Sequence, residues 1–224
     1  LDEFVQPIPI NYGGKLTGQY NNWNIGLLHM NDDRETGNQN FSVLRLSHNL
    51  GKQSSIGIIG THGNALADSM NQLAGADIKL STSTFQRNKN VTFTFFGLKS
   101  KTRNLSEDNS AWGTQFSYPN DLIKARLGHH QIGKNFVAGM GFVPRTNIKE
   151  TYGEFELGPR PGKWGIMQVL LGRSFNSISN LESKKVETAE IQIKPLGIRF
   201  FSGEEIGYSL LNQQEYLYTG FNIF

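Results

Sequence analysis

The sequence predicts an all-β fold: an antiparallel up-and-down transmembrane β-barrel of about twelve or more strands, closed or incomplete. Three observations predict it. Short runs of alternating apolar and polar residues follow one another at even spacing, separated by turn residues. The connections between them alternate between short and long, as they must when one end of a barrel faces the periplasm and the other the exterior. No stretch approaches the roughly 18 apolar residues of a spanning helix, and the mean hydropathy is −0.41. A barrel tolerates that low value, because only every second residue meets lipid.

Twelve runs read as strands: Gly14–Tyr20, Trp23–Met30, Asn40–Leu46, Ser54–His62, Leu73–Thr82, Asn90–Ser100, Ala111–Tyr118, Leu122–His129, Lys149–Leu157, Trp164–Arg173, Val186–Lys194 and Glu205–Leu211. The tail from Glu215 to Phe224 reads as a further candidate. Short turns fall at Asn21-Asn22, from Leu50 to Gln53, from Pro119 to Asp121 and from Pro159 to Lys163. Longer polar loops fall at Asn31–Gln39, Gly63–Gln72, Lys101–Ser110 and Ile132–Asn147. Residues 1–11, with Pro7 and Pro9, read as a connecting segment, and 12–224 as the barrel domain.

Within the strands, side chains two apart share a face. Ile123, Ala125 and Leu127 alternate with Lys124 and Arg126. Gly153, Phe155 and Leu157 alternate with Tyr152, Glu154 and Glu156. Ala189, Ile191 and Ile193 stand against Glu190, Gln192 and Lys194. In the barrel reading the oily rows face lipid and the wet rows face the lumen. Arg45, flanked by Leu44 and Leu46, then points into the lumen. Arg45, Lys124, Arg126, Glu154 and Glu156 form the expected lumen-facing charge ladder, with Lys124 and Arg126 attracting the glutamates across adjacent strands by a few tenths to about 1 kcal/mol per pair. Tyr20, Trp23, Trp112, Tyr118, Trp164, Tyr208 and Tyr218 cluster near strand ends, where an aromatic girdle would sit.

Composition removes several function classes. Cysteine is absent, which excludes a disulfide scaffold, a cysteine nucleophile and cysteine-bound metal. The formal net charge of +3 is mild and spread out, with no basic stripe for nucleic acid. Glu154 and Glu156 invite a glycosidase reading, but their spacing alone says little, and cationic neighbours keep both ionised. His129 and His130 point to opposite faces of a strand and lack a third ligand. Asp32, Asp33 and Glu35 lack the spacing of a calcium loop. Gly139-Met140-Gly141 does not open a helix after a strand, so it is no phosphate loop. No catalytic residue, metal or cofactor is expected.

Several segments carry a family resemblance. Tyr12-Gly-Gly-Lys-Leu-Thr-Gly18, Trp23-Asn-Ile-Gly-Leu-Leu28, Asn40-Phe-Ser-Val-Leu-Arg45 and Ser54-Ser-Ile-Gly57 follow at close spacing, and Ile132-Gly-Lys-Asn-Phe136 precedes Gly141-Phe142-Val143-Pro144-Arg145. From about Tyr12 to Pro161 the chain resembles the C-terminal region of the DUF5916 family, proteins chiefly of Bacteroidetes. The resemblance implies an outer-membrane barrel, often preceded by a domain similar to family 9 carbohydrate-binding modules. The chain departs from that pattern by lacking the upstream domain, so no glycan-binding residue carries over.

The motif residues have physical readings of their own. Gly13, Gly14, Gly18 and Gly26 let strands curve and leave room for long neighbouring side chains. Gly141 to Arg145 sit in the longest loop, rigidified by Pro144, with Phe142 free to anchor on the rim or fold inward as a plug.

Together these readings give an expected non-enzymatic channel or surface component of the bacterial outer membrane, linked to glycan uptake or handling. Its partners would be membrane lipid and, through a domain outside this chain, glycans. Two alternatives stand beside it. One is a soluble all-β sandwich that binds or cleaves glycans and buries Ile123, Leu127, Phe155, Leu157, Ile191 and Ile193. The other is a fragment of a TonB-dependent receptor barrel, which would require a plug.

Overall fold

A computed structural model describes residues 8–34, 37–65, 67 and 69–216. Among them no helix occurs, and twelve strands form one antiparallel sheet in chain order, each hydrogen-bonded to the next. They are β1 (Ile10–Tyr20), β2 (Trp23–Asp32), β3 (Gln39–Leu50), β4 (Ser54–His62), β5 (Asn71–Phe85), β6 (Lys89–Thr102), β7 (Ser110–Pro119), β8 (Ile123–Ile132), β9 (Ile148–Leu157), β10 (Ile166–Asn180), β11 (Val186–Phe200) and β12 (Glu205–Glu215). β1 and β12 are the two ends of this order, so the sheet is not closed into a barrel.

Every expected strand is present, with longer bounds in several cases. β10 runs seven residues past the expected end at Arg173, to Asn180. β11 continues past Lys194 to Phe200 because a register shift between Ile193 and Leu196 absorbs Pro195. A bulge is where a proline, which cannot donate to the ladder, is tolerated. β1 begins at Ile10, inside the expected connecting segment. The tail candidate lies largely outside the described residues.

The short–long alternation holds for eight connections and then fails. Residues 21–22, 51–53, 86–88 and 120–122 alternate with 33–38, 63–70, 103–109 and 133–147. The expected short turn after β9 instead spans 158–165, whereas 181–185 after β10 is shorter. The longer turn is tied down. Gly158 N–H donates to Leu122 O at 2.8 Å, Gln168 Nε2 donates to Gly158 O at 3.0 Å, and Arg160 grips Asp121. Trp164 lies in this connection with φ 56°, outside β10 and exposed.

Contacts divide the chain into two compact units: Leu1–Leu80, Phe95–Trp112 and Ile132–Thr146 in the first; Ser81–Thr94, Gly113–Gln131 and Asn147–Phe224 in the second. In each, register sorts the side chains into two kinds of row, since residues directly opposite share a face. In the first unit, Leu16, Leu27 and Leu44 are successive partners, and so are Ile25, Leu46 and Ile58. On the other face run Gln19, Asn24, Ser47, Gly57 and Asp77. In the second unit, Phe175 pairs with Ile191, and Phe155 shares their face. The opposite face carries Glu154, Ser174 and Gln192 in one row and Tyr152, Asn176 and Glu190 in the next.

The apolar rows are open: Leu127 is 54% exposed and Phe155 50%, while Leu16, Leu44, Ile58 and Ile191 are exposed with them. The small buried core of the first unit lies on the polar face. It gathers Leu73, Ala111 and Phe136, with Ile59, Leu98 and Val143 packed against it.

Candidate functional site on the polar face

Two assemblies occupy the polar face, one in each unit. The second unit holds a trough of about 810 Å³ lined by Arg126, Tyr152, Glu154, Glu156, Asn176 and Lys194 among others. Part of its charge comes from alternate positions of β8 and β9, which are adjacent, as expected, and part from Glu190 and Lys194 on β11. Lys124 Nζ donates to Glu154 Oε1 at 2.6 Å, and Arg126 Nη2 donates to Glu154 Oε2 at 3.0 Å. One carboxylate thus takes both cations. Glu156, expected in the same ladder, joins no ion pair among the described residues. It lies directly opposite Gly172, which has no side chain to meet it.

Further polar groups extend the trough. His130 Nε2 lies 3.1 Å from Glu150 Oε2. Tyr152 donates its hydroxyl to Gln115 Oε1 at 2.8 Å, reaching from β9 over β8 to β7. It can do so because Gly128 lies beneath it, where an added Cβ would come within 2.3 Å of the Tyr152 ring. Lys194 and Arg199 both reach Glu205, at 3.1 and 2.8 Å. His129 turns to the other face, 2.8 Å from Thr151 Oγ1.

Arg45 belongs to a separate arrangement in the first unit. It grips the Asp77 carboxylate with two nitrogens, one at 2.9 Å, by crossing β4 above Gly57. Gly57 and Gly128 are thus two glycines that make room for a long side chain reaching across a strand. Of the expected glycines, Gly13 lies under the Met30 side chain, where an added Cβ would stand 3.0 Å from it, and Gly26 is in ordinary contact with Arg45, whereas Gly14 and Gly18 have nothing within 4 Å of an added Cβ. Alternation places Asp77 on the wet row of β5, but only register shows that its partner lies two strands away.

The second assembly is the loop between β8 and β9. Its first part, residues 133–139, lies across the polar face of the first unit, whereas from 141 to 146 all but Val143 are exposed. Asn71, fully buried, is the fastening. Its Nδ2 donates to Val137 O at 3.0 Å and Thr102 Oγ1 at 2.8 Å, and its Oδ1 accepts Gly139 N–H at 3.1 Å. Ser100 Oγ accepts Val137 N–H at 3.1 Å, and Gly139 O accepts Ala65 N–H at 2.7 Å. Gly139 must be glycine for this approach, since a Cβ would stand 2.6 Å from Gly63 O. The anchor is Phe136, buried in the core, and not Phe142, which is 85% exposed. Of the expected motif, Val143 packs on the core, whereas Gly141, Phe142, Pro144 and Arg145 do not join that cluster.

The expected girdle is uneven. Tyr20 and Trp23 face each other across the first turn, and Tyr118, Trp164 and Tyr208 also lie in or beside connections that follow odd-numbered strands. Trp112 alone lies beside one that follows an even-numbered strand. Tyr218 lies outside the described residues.

Outside the strands, Arg160 holds the exposed Asp121 carboxyl below the usual carboxylate range through a two-point contact at 2.5 and 2.7 Å. No group of three or more His, Cys, Asp or Glu side chains suited to a metal ion occurs among the described residues. Compared with known proteins, the chain matches no family model, no curated protein and no solved structure.

Proposed function

We propose that this chain forms the wall of an outer-membrane β-barrel, with the apolar rows against lipid and the polar rows along a lumen. Its role in this reading is that of a non-enzymatic channel or surface component. The observation that carries the proposal is the direction of exposure. Large apolar side chains stand open on one face of each unit, while ion pairs, buried amides and the infolded loop occupy the other. A soluble protein rarely leaves more than a few hundred Å² of contiguous apolar surface uncovered. Lipid removes that cost, and a lumen gives the charges water and one another.

The strand lengths fit as well. A tilted spanning strand needs about 9–11 residues, and the shortest strand here has 9. Glu154 under two cations is suited to holding the wall together and leaves Glu156 to influence which solutes pass. The loop from 133 to 147 would narrow such a lumen. A link to glycans rests on the family resemblance alone.

The soluble sandwich would need Leu127 and Phe155 in a dry core, and their exposure weighs against it. The test is refolding with and without detergent. The proposal expects a soluble species only in detergent, migrating faster on a denaturing gel before boiling than after. A monomer that stays in solution without detergent and shows no heat-dependent shift would overturn it.

A further inference from the structure

One residue breaks the apolar face. Arg173 sits midway along β10, directly opposite Phe155 on β9 and Ile193 on β11, in a row that continues to Leu210 on β12. Its neighbours two positions away on the same face are Leu171 and Phe175. Arg173 is exposed, and no ion pair or hydrogen bond of its side chain occurs among the described residues. The other arginines of β3, β8 and β11 stand on the polar face, each against a carboxylate: Arg45 with Asp77, Arg126 with Glu154 and Arg199 with Glu205.

Beside Arg173 the apolar face is hollowed. Phe116, Ala125, Leu127, Phe155 and Phe175, with Arg173 itself, line a depression of about 450 Å³ that Arg126 and Glu154 also border. Gly153 lines it too, and the Phe175 ring lies so closely over Gly153 that an added Cβ would stand 2.4 Å from the ring. A cation beside an aromatic-walled hollow matches a ligand with an anionic end and an apolar body. An uncompensated arginine facing hydrocarbon is costly, and an anionic partner removes that cost. Arg173 is midway along β10, but its partner Phe155 stands two residues before the end of β9 at Leu157, and the long arginine arm can extend toward acidic headgroups, which lie where spanning strands end.

Resting on the lipid-facing reading of this surface, we propose that Arg173 and the hollow beside it form a binding site for an anionic phospholipid. The guanidinium holds the phosphate in a two-pronged contact, which a planar fork makes better than an ammonium. An acyl chain lies in the hollow against Phe155, Phe175 and Leu127.

The experiment refolds the whole chain in detergent, transfers it to vesicles of phosphatidylcholine with phosphatidylglycerol, re-extracts it and weighs the complexes by native mass spectrometry. Phosphatidylglycerol should be retained severalfold over phosphatidylcholine. Arg173→Leu, which completes the apolar row, should abolish that preference without impairing insertion, and Arg173→Lys should restore part of it. Phe175→Ala should weaken retention while leaving the headgroup preference. Excess inorganic phosphate should not displace the lipid. Equal retention of both lipids, an unchanged preference in Arg173→Leu, or a dimer that Arg173→Leu dissolves would overturn the site. Failure of the unaltered chain to enter vesicles of either composition would instead sink the membrane reading, and the site with it.

Discussion

At the scale of single residues, the polar face is organised by glycines that let a side chain skip a strand. Tyr152 reaches Gln115 over Gly128, and Arg45 reaches Asp77 over Gly57. Each contact ties three strands where an ordinary cross-strand pair ties two. Gly128→Ala places a methyl group 2.3 Å from the tyrosine ring and must push it aside. The expected outcome is loss of the Tyr152–Gln115 bond and destabilisation of about 1–3 kcal/mol, the usual cost of overpacking. The midpoint of urea unfolding in detergent measures it. Gly14→Ala, which meets nothing within 4 Å, serves as the control and should leave the midpoint nearly unchanged. The glycines were visible in the sequence, but which of them lie beneath a long side chain was not, because that depends on register across two strand boundaries.

At the scale of elements, the loop between β8 and β9 is held by a core that formed on the unexpected side. Phe136 sits with Leu73 and Ala111, while Phe142 projects into the surroundings. Both are phenylalanines in one loop, six residues apart, and nothing local distinguishes them. Phe136→Ala should cost about 3–5 kcal/mol, the range for a buried aromatic, and Phe142→Ala close to nothing. Amide exchange at Val137 and Gly139 reads the difference, because their N–H groups bond to Ser100 and Asn71 only when the loop is seated. Rapid exchange in both variants, or in neither, would show that Phe136 is not the anchor. β11 makes a related point. Its alternation is interrupted at Pro195, and only the shift of register that accommodates the proline carries the strand on to Phe200.

At the scale of the whole molecule, function turns on which face meets lipid. Leu44→Arg places a charge midway along β3 on an apolar row, and Gln192→Arg places the same charge on a polar one. In the membrane reading the first should lower insertion strongly, since a lipid-facing arginine costs about 2–4 kcal/mol near the bilayer midplane, and the second should be tolerated. The fraction protected from protease after folding into vesicles measures both. Equal behaviour of the pair would mean that the two faces do not see different solvents.

The sequence by itself determined twelve strands and their order, with a thirteenth left open in the tail, the alternation within them, the adjacency of Lys124 and Arg126 to Glu154, and the absence of cysteine chemistry. Those are properties of period two and of nearest neighbours, which a linear pattern records. Tertiary structure alone decided that Glu156 joins no ion pair among the described residues, that Arg45 answers to Asp77, that Asn71 fastens a distant loop and that Arg173 stands between Phe155 and Ile193. Each of these depends on the register of strands against one another, and a hydrogen-bonded ladder sets register by fitting all of its rows at once.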